Sequence, residues 1–303
     1  WLKDMCKRGR ALGLPLLMGG DDAAAAATAL EVAALGPSSE LPLWVIHFPE
    51  DRGLVLRALA QDPGALRYAS EGLRADPQVV WEAVHRDASA LAYAADTMRS
   101  NREVMLEVLR QDGSALRFAS EELRQDRELV LKAVRQHGSS LHYAAECLQG
   151  DREVVLCAVD ESGCALRFAS QALRGDLDVV LRAVAQDGQA LMYASSALRG
   201  NYDVVWAAVS QDGSALRHAS QSLRDSRQLV RQAMTRDGWA LEHASQRLQG
   251  NREVVLQAIA HDGRALVHAS DALRTEPAMT LAAGKRAQVY LAQEWGNNPD
   301  VEL

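Results

Sequence analysis

Positive charge, aromatic rings and long apolar runs are all in short supply in this chain, and each shortage removes a class of protein. Lys and Arg number 33 against 40 Asp and Glu, a net charge of −7. A dedicated nucleic-acid binder carries the opposite balance. Aromatic residues make up only 5%, and the abundance of Ala and Leu favours helices over sheets. The longest apolar run, "AAAAATALEVAAL", follows Asp21 and Asp22 and is interrupted by Thr28 and Glu31. It falls short of the roughly 20 residues of a membrane span and reads as an Ala-rich helix. The chain is therefore expected not to span a membrane, and to meet one only through its partners.

Cysteine is sparse as well. Cys6, Cys147, Cys157 and Cys164 are too few and too irregularly placed for a disulfide framework or a zinc site. They are expected to be reduced thiols in a reducing intracellular compartment. The sequence opens on Trp1 rather than Met, so a targeting segment is expected to be removed or left out, and an organelle stays open as the location. Enzyme signatures are missing too: there is no H-E-x-x-H and no G-x-S-x-G, and "AAGKRAQ" at 282–288 lacks the upstream Gly of a phosphate loop. No catalytic residue, cofactor or metal ligand is expected.

What the chain does have is repetition. A 25-residue period runs without insertion from residue 51 to 275, in nine units beginning at Asp51, Asp76, Asn101, Asp126, Asp151, Asp176, Asn201, Ser226 and Asn251. Three of them read "DREVVLCAVDESGCALRFASQALRG", "DLDVVLRAVAQDGQALMYASSALRG" and "NREVVLQAIAHDGRALVHASDALRT". Position 1 is Asp or Asn in eight units and position 3 is acidic in six, which suits a helix N-terminus. Apolar residues follow at positions 4, 5, 6, 8 and 9, a stripe wide enough for a helix pressed between neighbours. An Asp-Gly pair at positions 12 and 13 ends that helix in five units, with Gly available for a left-handed C-cap. A second helix then carries small and apolar residues such as Ala190, Leu191, Ala194, Ser195 and Leu198 on one face.

Helices this short are marginal alone and gain stability by stacking on the next unit. The expectation is an all-α fold, an α-solenoid of nine two-helix repeats over 51–275; an alternation of α with 3-10 helices is the variant. Residues 1–50 should form an N-terminal helical cap, with a helix around 22–35 and the docking stretch "LPLWVIHFP". Residues 276–303 should form a C-terminal capping helix around 278–294 and the polar tail "EWGNNPDVEL". A "DREVVLxAVxxxGxALxYASxxLR" pattern over 51–275 resembles a helical repeat domain of bacteria and unicellular eukaryotes, known only as a domain of unknown function. The resemblance implies the fold and brings no catalytic residues.

Several constellations invite chemistry. His218, His243 and His268 recur one period apart at position 18, where earlier units carry Tyr or Phe. Equivalent side chains on stacked units stand about 8–10 Å apart, too far to converge on one zinc, so packing is expected. His243 and Ser245 are repeat positions, not a dyad. Arg fills position 24 in seven units and position 17 in four, with acidic residues at position 21 in five, among them Glu71, Glu121 and Glu146. This spacing suggests a face of i,i+3 and i,i+4 ion pairs rather than a phosphate track.

The unit at 226–250 departs most from its siblings. Arg231 replaces the Leu or Trp of position 6, placing a charge where the others bury hydrocarbon, which is costly unless the charge is paired or exposed. Trp239 takes position 14, facing outward with position 17, near Arg264 and Val267 of the next unit and Met192 two units back. These five residues form the candidate partner-binding surface, since contact sites favour Trp, Met and Arg; a Trp239 folded over a neighbouring helix or the C-terminal cap is the alternative. The function expected is that of a non-catalytic protein–protein interaction scaffold, or an accessory subunit of a larger assembly. An RNA-binding solenoid and an enzyme with an unrecognised site are the alternatives.

Overall fold

A computed structural model describes residues 49–284. The chain divides into two compact units, Trp1–Val104 and Met105–Leu303. The regular elements among the described residues are all helical, with no strand among them. The expected helix at 22–35, the "LPLWVIHFP" stretch and the polar tail lie outside them, as do residues 285–294 of the expected last helix.

Each repeat opens with a ten-residue α-helix. In the first compact unit these are α1 (Arg52–Gln61) and α2 (Pro77–Arg86). Next comes α3 (Arg102–Gln111). In the second compact unit they are α4 (Arg127–Gln136), α5 (Arg152–Glu161), α6 (Leu177–Gln186), α7 (Tyr202–Gln211), α8 (Arg227–Arg236) and α9 (Arg252–His261). The Asp or Asn at position 1 caps each start; in α5 the Asp151 carboxylate accepts from the N–H groups of Glu153 and Val154. Ser226 is the exception and makes no side-chain cap. Positions 4, 5, 8 and 9 are buried, as at Val179, Val180, Ala183 and Val184.

The second helix of the expected pair is two elements. Positions 13–18 form a 3-10 helix, such as Gly188–Tyr193, and positions 21–24 a single further turn, such as Ser196–Arg199. The break falls at position 19, where Ala194 is extended at φ −66°, ψ 156°. Ser at position 20 then caps the last turn, as Ser195 does for Leu198 N–H. In a 3-10 helix residues i and i+3 eclipse, so positions 14 and 17 share an outward edge while Ala190, Leu191 and Ala194 go to the core.

The Asp-Gly pair has a different role from the left-handed cap expected of it. Among the described residues, Gly284 alone has positive φ. The Asp at position 12 caps the 3-10 helix, Asp187 accepting from Gln189 N–H at 2.9 Å. Gly at position 13 is there for space. A Cβ on Gly188 would stand 2.6 Å from the Ala208 carbonyl oxygen of the next long helix. The Gly188 N–H also donates to Gln211 Oε1 of that helix at 2.7 Å.

Successive repeats are joined by backbone as well as core. In the second compact unit the N–H at position 20 donates to the carbonyl at position 24 of the repeat before, for instance Ser195 to Arg174 at 2.8 Å and Ser245 to Arg224 at 3.0 Å. Along one edge Arg at position 2 reaches the acids of the next repeat: Arg127 meets Asp151 at 2.8 Å and Arg152 meets Asp178 at 2.9 Å. The register continues past 275. Glu276 takes position 1 and pairs with Arg252, residues 277–284 are helical, Met279 is fully buried, and the Ala283 carbonyl lies against Gly263. Residues 276–284 thus stand in the register of the opening positions of a repeat.

Candidate partner-binding surface

Trp239 stands on the 3-10 helix Gly238–His243 and is half-buried rather than exposed. Its indole N–H donates to Asp262 of the next repeat at 3.1 Å, its ring meets His268 edge-on at 5.0 Å, and the Arg264 guanidinium lies over it at 5.5 Å. The same inter-repeat bond recurs upstream, where Cys164 and Gln189, also at position 14, donate to Asp187 and Asp212. Trp239 therefore fills a structural hydrogen-bonding position as well as an outward one. Asp262 and His268 were missed from sequence. The signal for Asp262 is the recurring Asp-x-(position 14) spacing of 23 residues, which appears only once the units are stacked.

Asp262 is held in its ionised form down to about pH 2. The Arg264 guanidinium is the main cause; partial burial opposes it, and the Arg264 N–H and Trp239 indole add to the stabilisation. Cys164 is pushed the other way, up to about 11, by burial first and by the Asp187 carboxylate beside it.

Arg231 meets the exposed alternative and so avoids the cost of a buried charge; what differs from expectation is that position 6 is not a buried position. Position 6 lies at the rim of the long helices, where Trp81 and Trp206 are 41% and 39% exposed, and Arg231 is exposed as well. It lines a groove of about 510 Å³ on the outer face of α7, α8 and α9, with Trp206, Gln228, Met234, Gln257 and His261 among its other walls. Tyr202 stacks on Trp206 at 6.0 Å and donates through its hydroxyl to Gln228 at 3.1 Å. Arg231 thus belongs to the long-helix face and Trp239, Arg264 and Val267 to the 3-10 face. Met192 shares the 3-10 face and is 45% exposed. Tyr202 and Trp206 are the residues sequence reasoning overlooked here. Tyr at position 2, where most units have Arg, was the available signal.

The 3-10 face is stacked from repeat to repeat. His142 sits between Tyr143 and Phe168 with ring centroids 5.0 and 4.7 Å away, and Arg167 lies over Phe168 at 4.7 Å and Tyr193 at 6.0 Å. Ion pairing at position 21 is thinner than its spacing suggests. Arg99 pairs with Asp96 and Arg274 with Asp271, while Glu71, Glu121 and Glu146 make no ion pair with described residues. Two other arginines at position 24 reach carbonyls instead: Arg124 donates to Arg117 O of its own repeat at 2.7 Å and Arg174 to Tyr193 O of the next repeat at 2.6 Å. The extended residue at position 19 takes positions 17 and 21 off a common helical face. Among the described residues, no group of three or more His, Cys, Asp or Glu is arranged to hold a metal, and none of their helices is long and apolar enough to cross a membrane.

One family matches this repeating geometry, the Domain of unknown function (DUF4116), at residues 51–99, 101–149, 151–199, 176–224, 201–249 and 226–274. The chain belongs to this family. Each DUF4116 match spans two 25-residue units, and the later matches start one unit apart, at 151, 176, 201 and 226. The structural repeat is thus half of the family's domain, and the frame slides along the stack one unit at a time. No curated protein and no solved structure matches the chain. Within the DUF4116 array, both the groove of α7–α9 and the Trp239 cluster fall in the three units from Asn201 to Thr275.

Proposed function

We propose that this DUF4116 chain is a non-catalytic scaffold that binds a partner protein, as a subunit of a larger assembly. The observation that carries the reading is the outer face of α7–α9, where the stacked Tyr202–Trp206 pair borders a groove walled by Arg231 and Met234. Partly exposed Trp and Tyr next to Arg are the side chains that dominate contact energies. The stacking core is fully occupied, and the carboxylates with displaced pKa include the helix caps Asp76, Asp151, Asp176, Asp212 and Asp262, whose occupation is structural. These features support binding over catalysis. In this reading an apolar side chain of the partner enters the groove against Trp206.

The test is quantitative capture of partner proteins from native cells by the wild-type chain and by a Trp206→Ala, Arg231→Ala variant. Losing one buried aromatic anchor weakens an interface by about 2 kcal/mol or more, roughly 30-fold in affinity. Undiminished partner recovery by the variant would remove the groove from the account. A wild-type eluate that holds no protein would remove the scaffold.

A further inference from the structure

Two sets of arginines in the second compact unit bond in opposite ways. Those at position 2 are spent on carboxylates of the next repeat, as at Arg127, Arg152, Arg227 and Arg252. On the 3-10 face, Arg167, Arg174, Arg199, Arg217 and Arg224 pair with no carboxylate among the described residues. Arg167 lies over rings, Arg174 donates to a carbonyl, Arg217 to Gln189 and Arg224 to Gln221. The Nε of Arg199 and of Arg224 is buried without a hydrogen-bond partner, as it is at Arg74, Arg99 and Arg124 of the same repeat position, so the stripe is set apart by its missing carboxylates and not by this atom.

Position 21, which could neutralise this stretch, is Gln171, Ser196 and Gln221 here. The acids beside it are already engaged: Asp187 and Asp212 act as caps and accept from Cys164 and Gln189, with Arg217 adding to the field at Asp212, and Asp225 accepts from Ser245 and pairs with Arg247. The His218 ring lies in this field: burial first, then Arg217, His243 and Arg199, hold its pKa below the ordinary value. Downstream the stripe ends at the exposed Glu242.

We infer that this stripe, Arg167–Arg174–Arg199–Arg217–Arg224, is the docking surface for an extended acidic segment of a partner protein. The proposal rests on the scaffold reading and gives it a partner chemistry. Spacing supports an extended chain. Successive repeats stand about 10 Å apart, and an extended peptide advances about 3.3 Å per residue, so carboxylates at every third residue would meet one repeat each. Single-stranded nucleic acid fits less well. It gains affinity by stacking bases on free aromatic faces, and Phe168 and Tyr193 are already covered by Arg167, while the exposed aromatics Tyr202 and Trp206 stand on the long helices.

The experiment uses fluorescence anisotropy of the full chain with three labelled probes: a twelve-residue Ser/Gly peptide with Glu at every third position, the same peptide with Gln instead, and a twelve-nucleotide oligouridine. The variant is Arg174→Gln, Arg199→Gln, Arg224→Gln. Gln149 and Gln249 already occupy this position and donate to carbonyls of their own repeats, Ala144 and Glu242, so the fold accepts Gln there. A second variant, Arg167→Met with Arg217→Met, copies Met192 at position 17 and serves if the first misfolds. The expected result is binding of the Glu peptide that falls at least 10-fold in either variant and weakens with added salt. Absence of Glu-peptide binding, equal binding of the Gln peptide, unchanged affinity in both variants, or tighter binding of oligouridine than of the Glu peptide would each overturn the proposal. Continued Trp206-dependent capture of protein after such a failure would leave the scaffold standing without the stripe.

Discussion

Replacing Gly188 by Ala adds one methyl group at the tightest point between two repeats. The new Cβ would lie 2.6 Å from the Ala208 carbonyl oxygen, 2.9 Å from Gln211 Oε1 and 3.0 Å from the Asp212 Cβ. The first and last of these belong to parts that cannot rotate away. Relief needs the 3-10 helix Gly188–Tyr193 to withdraw from α7 by most of an ångström, which loosens the Gly188 N–H to Gln211 bond and the core contact of Leu191. Overpacking of this kind costs about 1–3 kcal/mol. Gly200→Ala is the matched control. Gly200 sits at φ −99°, ψ 0°, and its nearest atom to a new Cβ is the Ala197 carbonyl oxygen at 3.4 Å. There Ala should be neutral or stabilise by up to about 1 kcal/mol through the unfolded chain. Urea denaturation followed by circular dichroism at 222 nm compares the two. Because repeat arrays can unfold in steps, the onset of unfolding is compared as well as the midpoint. A Gly188→Ala chain as stable as wild type, or a Gly200→Ala chain that is the weaker of the pair, would refute the close-approach argument.

Three further outcomes are expected. Asp262 is ionised in the folded chain down to about pH 2, below its ordinary 3.8, so its contribution is present above 3.8 and is lost as pH falls toward 2. Asp262→Asn should therefore cost about 1–2 kcal/mol at neutral pH, with the gap to wild type closing near pH 2 in thermal melts. His218 and His243 titrate below the ordinary 6.5, burial being the first cause in both. The unfolded chain then takes up protons first, and stability present above 6.5 is lost as pH falls through the folded values. His218→Phe with His243→Phe, matching Phe118 and Phe168, should flatten the melting temperature between pH 7 and 5, and an unchanged slope would contradict this. With maleimide near pH 7.5, the exposed Cys147 should react well before Cys164, whose thiol stays protonated to about 11; mass spectrometry of the labelled peptides decides the order.

The period, the caps at position 1 and the buried stripe of the long helix were legible because each is a local consequence of residue type. The split of the second helix was not. Leu191, Ala194 and Leu198 are spaced by three and four, and that spacing fits a continuous helix as well as a 3-10 helix, an extended residue and a further turn. Ser195 was the one visible sign, being a cap rather than a small packing residue. The Asp187–Gly188 pair misled for a related reason: a Gly needed for close approach to a neighbour looks the same in sequence as a Gly needed for positive φ. Arg231 was misplaced because position 6 belongs to an apolar run, and only stacking reveals that the run continues onto the rim. The surface was legible in part. Trp239 and Arg264 come together, Val267 and Met192 share their face, and the groove beside Arg231 is a separate feature that needed Trp206 and Tyr202 to be seen.

We propose that this repeat array holds a partner protein through the units from Asp151 to Thr275. Affinity capture of the tagged chain from its native cells at near-physiological salt, with cross-linking mass spectrometry of the eluate, tests it directly. The account predicts reproducible protein cross-links clustered between residues 167 and 264, on the groove of α7–α9 and the arginine stripe. An eluate dominated by RNA, or protein cross-links confined to residues 49–104, would contradict it.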